Sequence, residues 1–442
     1  MGYLILLYVT ILVLLLISYN ITGKDILRPI NVMLAVFLLS VTFTLLNVKN
    51  WNIEYSPKAY FVLTSGLITA LIADYIFYSK YIYKKSNSLQ KEREIKPIIV
   101  KNWKIVLLSI VELGILFLYY KEIKRLAILD GYIPGANLLW HFRNITSYTG
   151  EESLNGFVSI LIKFVDAVAY IITFIIINNL LSKKVKLKKM YIYFFPIAIF
   201  TIKVLMASGR LELLRWGVYA LLTSYILYKF KVGWQKNITF KYLKKIIIIV
   251  PLALLLFYYA TNIIGRGTTR TIFQYISTYV GGSIQHFNQF IEDPIVLEHF
   301  GEETFPGVYS FLHKFGLTDY TRIVHLEMRR LGITQGNVYT FFRRPYNDFG
   351  FFGMAIFTFV VIGFFSRNYS RIRYKNDSYK TDYNIIVYSY LFYWIVLSSI
   401  EQYSIGVISI GTIMILVMMR AVYFFLVQID IEHAKIKIKH YK

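Results

Sequence analysis

Apolar residues along this chain gather into eleven runs separated by polar links. The runs lie at roughly 3–20, 28–47, 59–79, 104–120, 154–181, 190–207, 211–229, 243–263, 346–366, 382–400 and 404–427. Most approach the ~20 residues that a helix needs to cross a hydrocarbon core. The first run, YLILLYVTILVLLLISYN, lacks a basic leader and a small-residue cleavage site, so it reads as a retained helix rather than a signal peptide. The pattern predicts an all-α polytopic membrane protein of about eleven transmembrane helices. The whole of 1–442 reads as one integral membrane domain.

The links alternate in character. Lysine crowds the links at 80–104, 183–189 (KKVKLKK) and 229–245, arginine and lysine fill 367–380, and the tail ends KIKIKHYK. With eleven spans all five fall on one face, which the positive-inside rule makes cytoplasmic. The N-terminus is then outside and the C-terminus inside.

The opposite face carries 121–153, the tight SGR turn at 208–210, the long segment 264–345, and EQYS at 401–404. Segment 264–345 is far longer than ordinary connections and too apolar for disorder. It is expected to be a large, partly helical extracytoplasmic loop. Within it Ile272, Ile276, Val280, Ile284, Phe287 and Ile291 recur at spacings of three and four, while Gln274, Gln285 and Gln289 fall elsewhere. That spacing predicts one helix over 272–291, lying on or dipping into the outer interface. TRIVHLEMRRL at 321–331 reads as a second, shorter helix. The loop closes with NVYTFFRRPYNDFGFFG at 337–353, where Pro345 and Asp348 suit a helix start. Gly350 and Gly353 would let a neighbouring helix approach.

Composition narrows the chemistry. The chain has no cysteine, which excludes disulfides, thiol catalysis and cysteine-held zinc or iron–sulfur groups. A net charge of +24 would suggest nucleic acid in a soluble chain. Here the lysines sit between apolar runs and set topology, so no nucleic acid is expected. No phosphate-cradling glycine loop, HExxH or DxD is present, and no metal or cofactor is expected.

Cations on the outer face are mostly arginine, against the topological bias. They are Arg143, Arg210, Arg266, Arg270, Arg322, Arg329, Arg330, Arg343 and Arg344, with Arg215 a turn into the following helix. A guanidinium is a planar fork that matches phosphate oxygens. The set reads as a pocket for a diphosphate; snorkelling anchors at lipid headgroups are the bland alternative. Asn337 and Tyr339 would share its wall. Four charges interrupt apolar runs: Glu112, Lys163, Asp166 and Lys203. Lys163 and Asp166, three apart, are expected to pair. Lys203, seven residues before Arg210, would floor the outer cavity if the helix continued. Asp74 is expected to reach water at the inner end of its helix. Proton acceptors on the outer face include His286, His313, His325, Asp319, Asp348 and Glu401. Asp348 combines helix capping with a place beside two arginines. His286 reads as a polar residue on a wet helix face.

The late outer loop, the SGR turn, TYVGGSIQHFN at 278–288 and NVYT…YNDFGFFG at 337–353 together resemble the Wzy-type oligosaccharide repeat-unit polymerases of bacterial O-antigen and capsule synthesis. The resemblance is sharpest over about 205–355. It implies a GT-C-like enzyme of the bacterial inner membrane. Such an enzyme moves a growing glycan from undecaprenyl diphosphate onto a fresh lipid-linked unit by metal-independent, inverting transfer. It implies that outer-loop arginines hold the diphosphates, with one general base among Asp348, His286 and Glu401. It also leaves room for a chain-length regulator as partner. Two other functions fit the same composition: an O-antigen-ligase-like transferase, and a flippase or transporter of lipid-linked oligosaccharides.

Overall fold

A computed structural model describes residues 1–442 apart from 86–91, 184, 186, 208, 235–243, 245–247, 249–254, 256–257, 260–269, 296, 298, 320–325, 375–377, 403–408, 433–434 and 439–442. The described residues are overwhelmingly helical. In chain order the long helices are α1 (Gly2–Ile21), α2 (Pro29–Leu46), α3 (Pro57–Lys85), α4 (Asn102–Leu129), α5 (Gly156–Ser182), α6 (Phe194–Met206) and α7 (Arg210–Val232). The late segment supplies α8 (Ile272–Val280), α9 (Gly282–Glu292), α10 (Pro306–Lys314) and a hairpin of β1 (Arg329–Leu331) with β2 (Thr334–Gly336). Then come α11 (Arg343–Tyr374), α12 (Ser378–Leu391) and α13 (Ile410–Tyr423). Among the described residues seven helices are long and apolar enough to cross a membrane: α1 to α5, α11, and α13 with the turn that continues it to Gln428. The expected span over 243–263 lies almost wholly outside the described residues.

Local chemistry sets the helix starts. Pro29 opens α2, where its missing N–H costs nothing. Asn155 caps α5 by accepting the Phe157 N–H at 2.9 Å. Thr271 and Gln274 form a reciprocal capping box at α8. α11 is broken at Gly350, whose φ of 66° and ψ of −167° no helix allows. Gly350 and Gly353 do not admit a neighbouring helix: Gly353 is filled by Phe349 of the same element, and a Cβ at Gly350 would meet open space. The close approach is instead between α3 and α11. A Cβ on Gly66 would lie 2.5 Å from the Phe342 ring, and one on Gly363 2.4 Å from Phe77.

The links sort to two ends of the bundle. At one end Ile98 meets Asn179, Arg93 N–H donates to Phe230 O at 2.8 Å, and Lys104 reaches Phe425 O at 2.7 Å. Here too Arg28 pairs with Asp74 at 2.5 Å, and Asp25 accepts from Tyr225 (2.6 Å) and Tyr369 (2.8 Å). Asp74 therefore does not reach water; it is fully buried. A charge in that position must be paired, and Arg28 from the α1–α2 link supplies the partner. At the other end the α2–α3 link meets α9 and the hairpin, and Phe341 N–H donates to Ser398 O at 2.7 Å.

Five further expectations change. The 272–291 helix is interrupted at Gly281, whose missing side chain lets the chain pass Phe43 and Thr44 of α2, where a Cβ would sit 2.9 Å from both. Thr44 Oγ1 donates to Gly281 O at 2.8 Å. Residues 282–288 are buried, so this segment is packed into the protein rather than laid on an interface. Residues 329–331 are a strand and not helix. Asp166 pairs with Lys203 at 2.8 Å and not with Lys163, whose ammonium turns back to Ser159 O at 2.8 Å. α6 stops at Met206, so Lys203 does not continue onto the face of Arg210. It is buried, with Glu212 at 2.6 Å as its second carboxylate.

Candidate functional site

The second half of the broken helix builds a polar wall. On α9, Gln285, Asn288, Gln289 and Glu292 recur at offsets of three, four and seven, one stripe of a helix. Ile284, Phe287, Phe290 and Ile291 bury the opposite side. Asn288 fixes the wall to the α2–α3 link: its Oδ1 accepts the Ser56 N–H at 2.8 Å and its Nδ2 donates to Glu54 O at 2.8 Å. The β1–β2 hairpin closes over it. Gln289 Nε2 donates to Arg330 O at 3.0 Å, and Arg329 Nη1 to Gln289 O at 3.3 Å. Gly332 at the hairpin turn is pressed on Asn50, where a Cβ would come within 2.2 Å of the carbonyl oxygen. Between these parts lies an open cavity of about 500 Å³. Arg329, Arg330, Glu54 and Glu292 line it beside four amide side chains. Two guanidiniums and two carboxylates share a lining balanced in charge and rich in planar hydrogen-bonding groups, and Arg329 is itself held by Asp293 at 3.3 Å and Glu327 at 3.6 Å.

Behind this cavity a chain of buried groups runs to α11. His286 is fully buried, contrary to a wet-face reading, because Gly281 and Gly282 let α9 sink against α2 and the hairpin. Its Nδ1 lies 2.8 Å from Val338 O, and its ring faces Tyr339 at 5.5 Å. Burial holds its pKa down at about 4, so it is neutral at pH 7. Tyr339 Oη donates to Glu327 O at 3.0 Å. The Glu327 carboxylate accepts from Arg343 at 2.7 Å, and Glu303 takes the other arm of the same guanidinium. Arg343 has no exposed surface and lies over the Phe290 ring at 4.6 Å. Arg344 pairs with Glu401 at 3.0 Å and donates to Glu303 O at 3.2 Å. Asp348 accepts the Thr304 N–H at 2.6 Å and the Glu303 N–H at 3.4 Å. It caps a turn of the late loop and not its own helix.

The predicted residues therefore fall into groups. Arg329 and Arg330 line the cavity. His286, Tyr339, Arg343, Arg344, Asp348 and Glu401 form the network behind it, and half-buried Asn337 links β2 to Tyr339. Lys203 and Arg215 stand apart among α4 to α7, with Arg215 over Tyr393 at 4.4 Å. Arg143 lies over Tyr148 at 5.2 Å. The main-chain oxygen of Arg270 accepts from Tyr258 Oη at 3.2 Å. Arg266, Arg322 and His325 lie outside the described residues, as does the side chain of Arg210. Glu303 and Glu327, the partners of Arg343, were not singled out by sequence; nothing in their spacing marks them. The α9 stripe did have a legible signal, since its four polar positions share one helical face. Among the described residues no three His, Asp or Glu side chains are placed to hold a metal ion.

No family model, curated protein or solved structure matches this chain.

Proposed function

We propose that the protein is a membrane-embedded glycosyltransferase that joins lipid-diphosphate-linked oligosaccharide repeat units into a polysaccharide. The observation that carries this reading is the charge-balanced, amide-rich cavity at the end of the bundle where the late loop packs. Its ~500 Å³ is within the range of small-ligand sites. Amides, carboxylates and guanidiniums are the groups that hydrogen-bond sugar hydroxyls in pairs. In this reading Gln285 and Gln289 hold the acceptor sugar, and Asn288 fixes the wall that carries them. Glu54 or Glu292, the carboxylates that open on the cavity, takes the proton of the attacking hydroxyl. Arg330, with Arg329 held beside it by Asp293, faces the diphosphate that leaves with its lipid and stabilises the charge that develops there. Arg343, Arg344, Asp348 and Glu401 act behind the site by fixing the late loop to α11. The fold would complete eleven spans in a bacterial inner membrane, with the N-terminus and the late loop outside and the C-terminus in the cytoplasm. The substrate would be an undecaprenyl diphosphate glycan, and a chain-length regulator a further partner.

A transporter of the same lipid-linked glycan is the second reading. It is favoured by one observation: Lys203 and Glu112 are buried ionisable groups among α4 to α7, with Asp166 and Glu212 paired to Lys203. Purified protein in liposomes, given a lipid-diphosphate-linked repeat unit, separates the cases. A ladder of longer glycans supports the polymerase. Transfer only to an added acceptor supports a ligase, and movement across the bilayer without new glycosidic bonds supports the transporter.

A further inference from the structure

Helix α10 has an unusual surface for a segment of a packed loop: none of its residues is buried. Large apolar groups on it and beside it are bare. Phe300 is 78% exposed, Leu317 71%, Phe315 64% and Phe311 43%. A water-facing helix would not carry this load. Its position in the bundle says what covers it. Gly307 lies against Ser409, where a Cβ would be 3.6 Å from the Ser409 Cα, and Ser409 is the cap of the membrane-length helix α13. Phe300 and Phe305 pack on Phe349 at 4.9 and 6.0 Å, beside the break at the head of α11. Below that break α11 shows an outward stripe, Phe352, Ile356 and Val360, each more than half exposed at four-residue spacing. The bare ring of Phe300, at the entry to α10, thus meets the head of a helix whose apolar surface is built to cross a bilayer. Lys314 stands in the last turn of α10, the charge that anionic headgroups attract.

We propose that α10 is an interfacial helix, with Phe311, Phe315 and Leu317 immersed in the lipid of the leaflet where α11 and α13 begin. The bilayer surface, and no protein partner, is its occupant. The helix is also tied to the site: Thr304, two residues before Pro306, is held by Asp348. Lipid contact at α10 therefore sets the depth at which the late loop and its cavity sit. The inference needs only that α11 and α13 cross a bilayer, and it stands whatever reaction the chain performs.

The absence of cysteine makes the test direct. Single-cysteine variants Phe311→Cys, Phe315→Cys and Leu317→Cys carry a nitroxide in liposomes. Ile356→Cys serves as the lipid reference and Gln335→Cys, on the exposed hairpin, as the water reference. Collision with oxygen and with a water-soluble nickel chelate is measured at each. The expected result is an oxygen-to-nickel ratio at 311, 315 and 317 that matches 356 and exceeds 335. A ratio matching 335 overturns the proposal. Spin–spin broadening at 311, with protection from both reagents, also overturns it, because a second copy of the chain would then be the occupant.

Discussion

Arg343→Met removes the guanidinium that stands between Glu303 and Glu327. Glu303 is 3% exposed and Glu327 18%, so the variant leaves two carboxylates with little access to water. Breaking a buried ion pair by removing one partner costs about 3–5 kcal/mol, most of it the charge left behind. The Phe290 ring beneath the guanidinium loses its cation as well. Arg343→Lys should cost less, because an ammonium can meet one carboxylate but cannot present a fork to two. Glu303→Gln added to Arg343→Met should recover part of the loss, since it removes one of the stranded charges. Equilibrium unfolding in mixed micelles, followed by tryptophan fluorescence, reads all three. If Arg343→Met unfolds within about 0.5 kcal/mol of the parent, a value typical of surface changes, the guanidinium is not engaged by these carboxylates. It would then be free to meet a phosphate.

Three further outcomes follow from the geometry. His286 titrates near 4 in the folded protein and near 6.5 when unfolded, so the unfolded chain takes the proton first. Stability is then complete above about pH 6.5 and falls as pH drops towards 4, by up to about 3 kcal/mol; His286→Gln should flatten that slope between pH 7 and 4.5. Gly66→Ala puts a methyl 2.5 Å from the Phe342 ring and should cost about 1–3 kcal/mol in the same assay, whereas Gly114→Ala, with open space around it, should not. Arg330→Ala at the exposed rim of the cavity should slow glycan transfer in liposomes while leaving unfolding unchanged. Equal loss in both assays would make Arg330 a structural residue.

Much of the fold was legible because membrane helices are written in long apolar runs. The starts of α1, α2, α3, α5 and α7 fall within about two residues of the runs that predict them. The segregation of lysine-rich links was legible too, and 93–104, 178–182 and 225–232 do meet at one end. What stayed hidden was pairing across long sequence distances. Lys203 and Asp166 are far apart in the chain, and the local rule favoured Lys163 as the partner of Asp166. Arg28 and Asp74 were invisible as a pair for the same reason. The two arginines of 337–353 advertised phosphate, yet both meet glutamates from other parts of the chain. The 272–291 periodicity was real, but a face of Ile and Phe cannot say whether lipid or protein covers it. Here protein covers α9, and the bare aromatic helix is α10, whose nine residues are too few for a clear period.

In the proposed reaction a glycosidic bond forms as a lipid diphosphate leaves. Its most direct measurement counts both products at once. Liposomes holding the protein receive a lipid-diphosphate-linked repeat unit labelled in the sugar, with chelator present and no nucleotide. One free lipid diphosphate is expected for each new glycosidic bond, with glycans lengthening by whole repeat units. Bond formation without matching release of lipid diphosphate, or no new bond while labelled substrate crosses the bilayer, would contradict it.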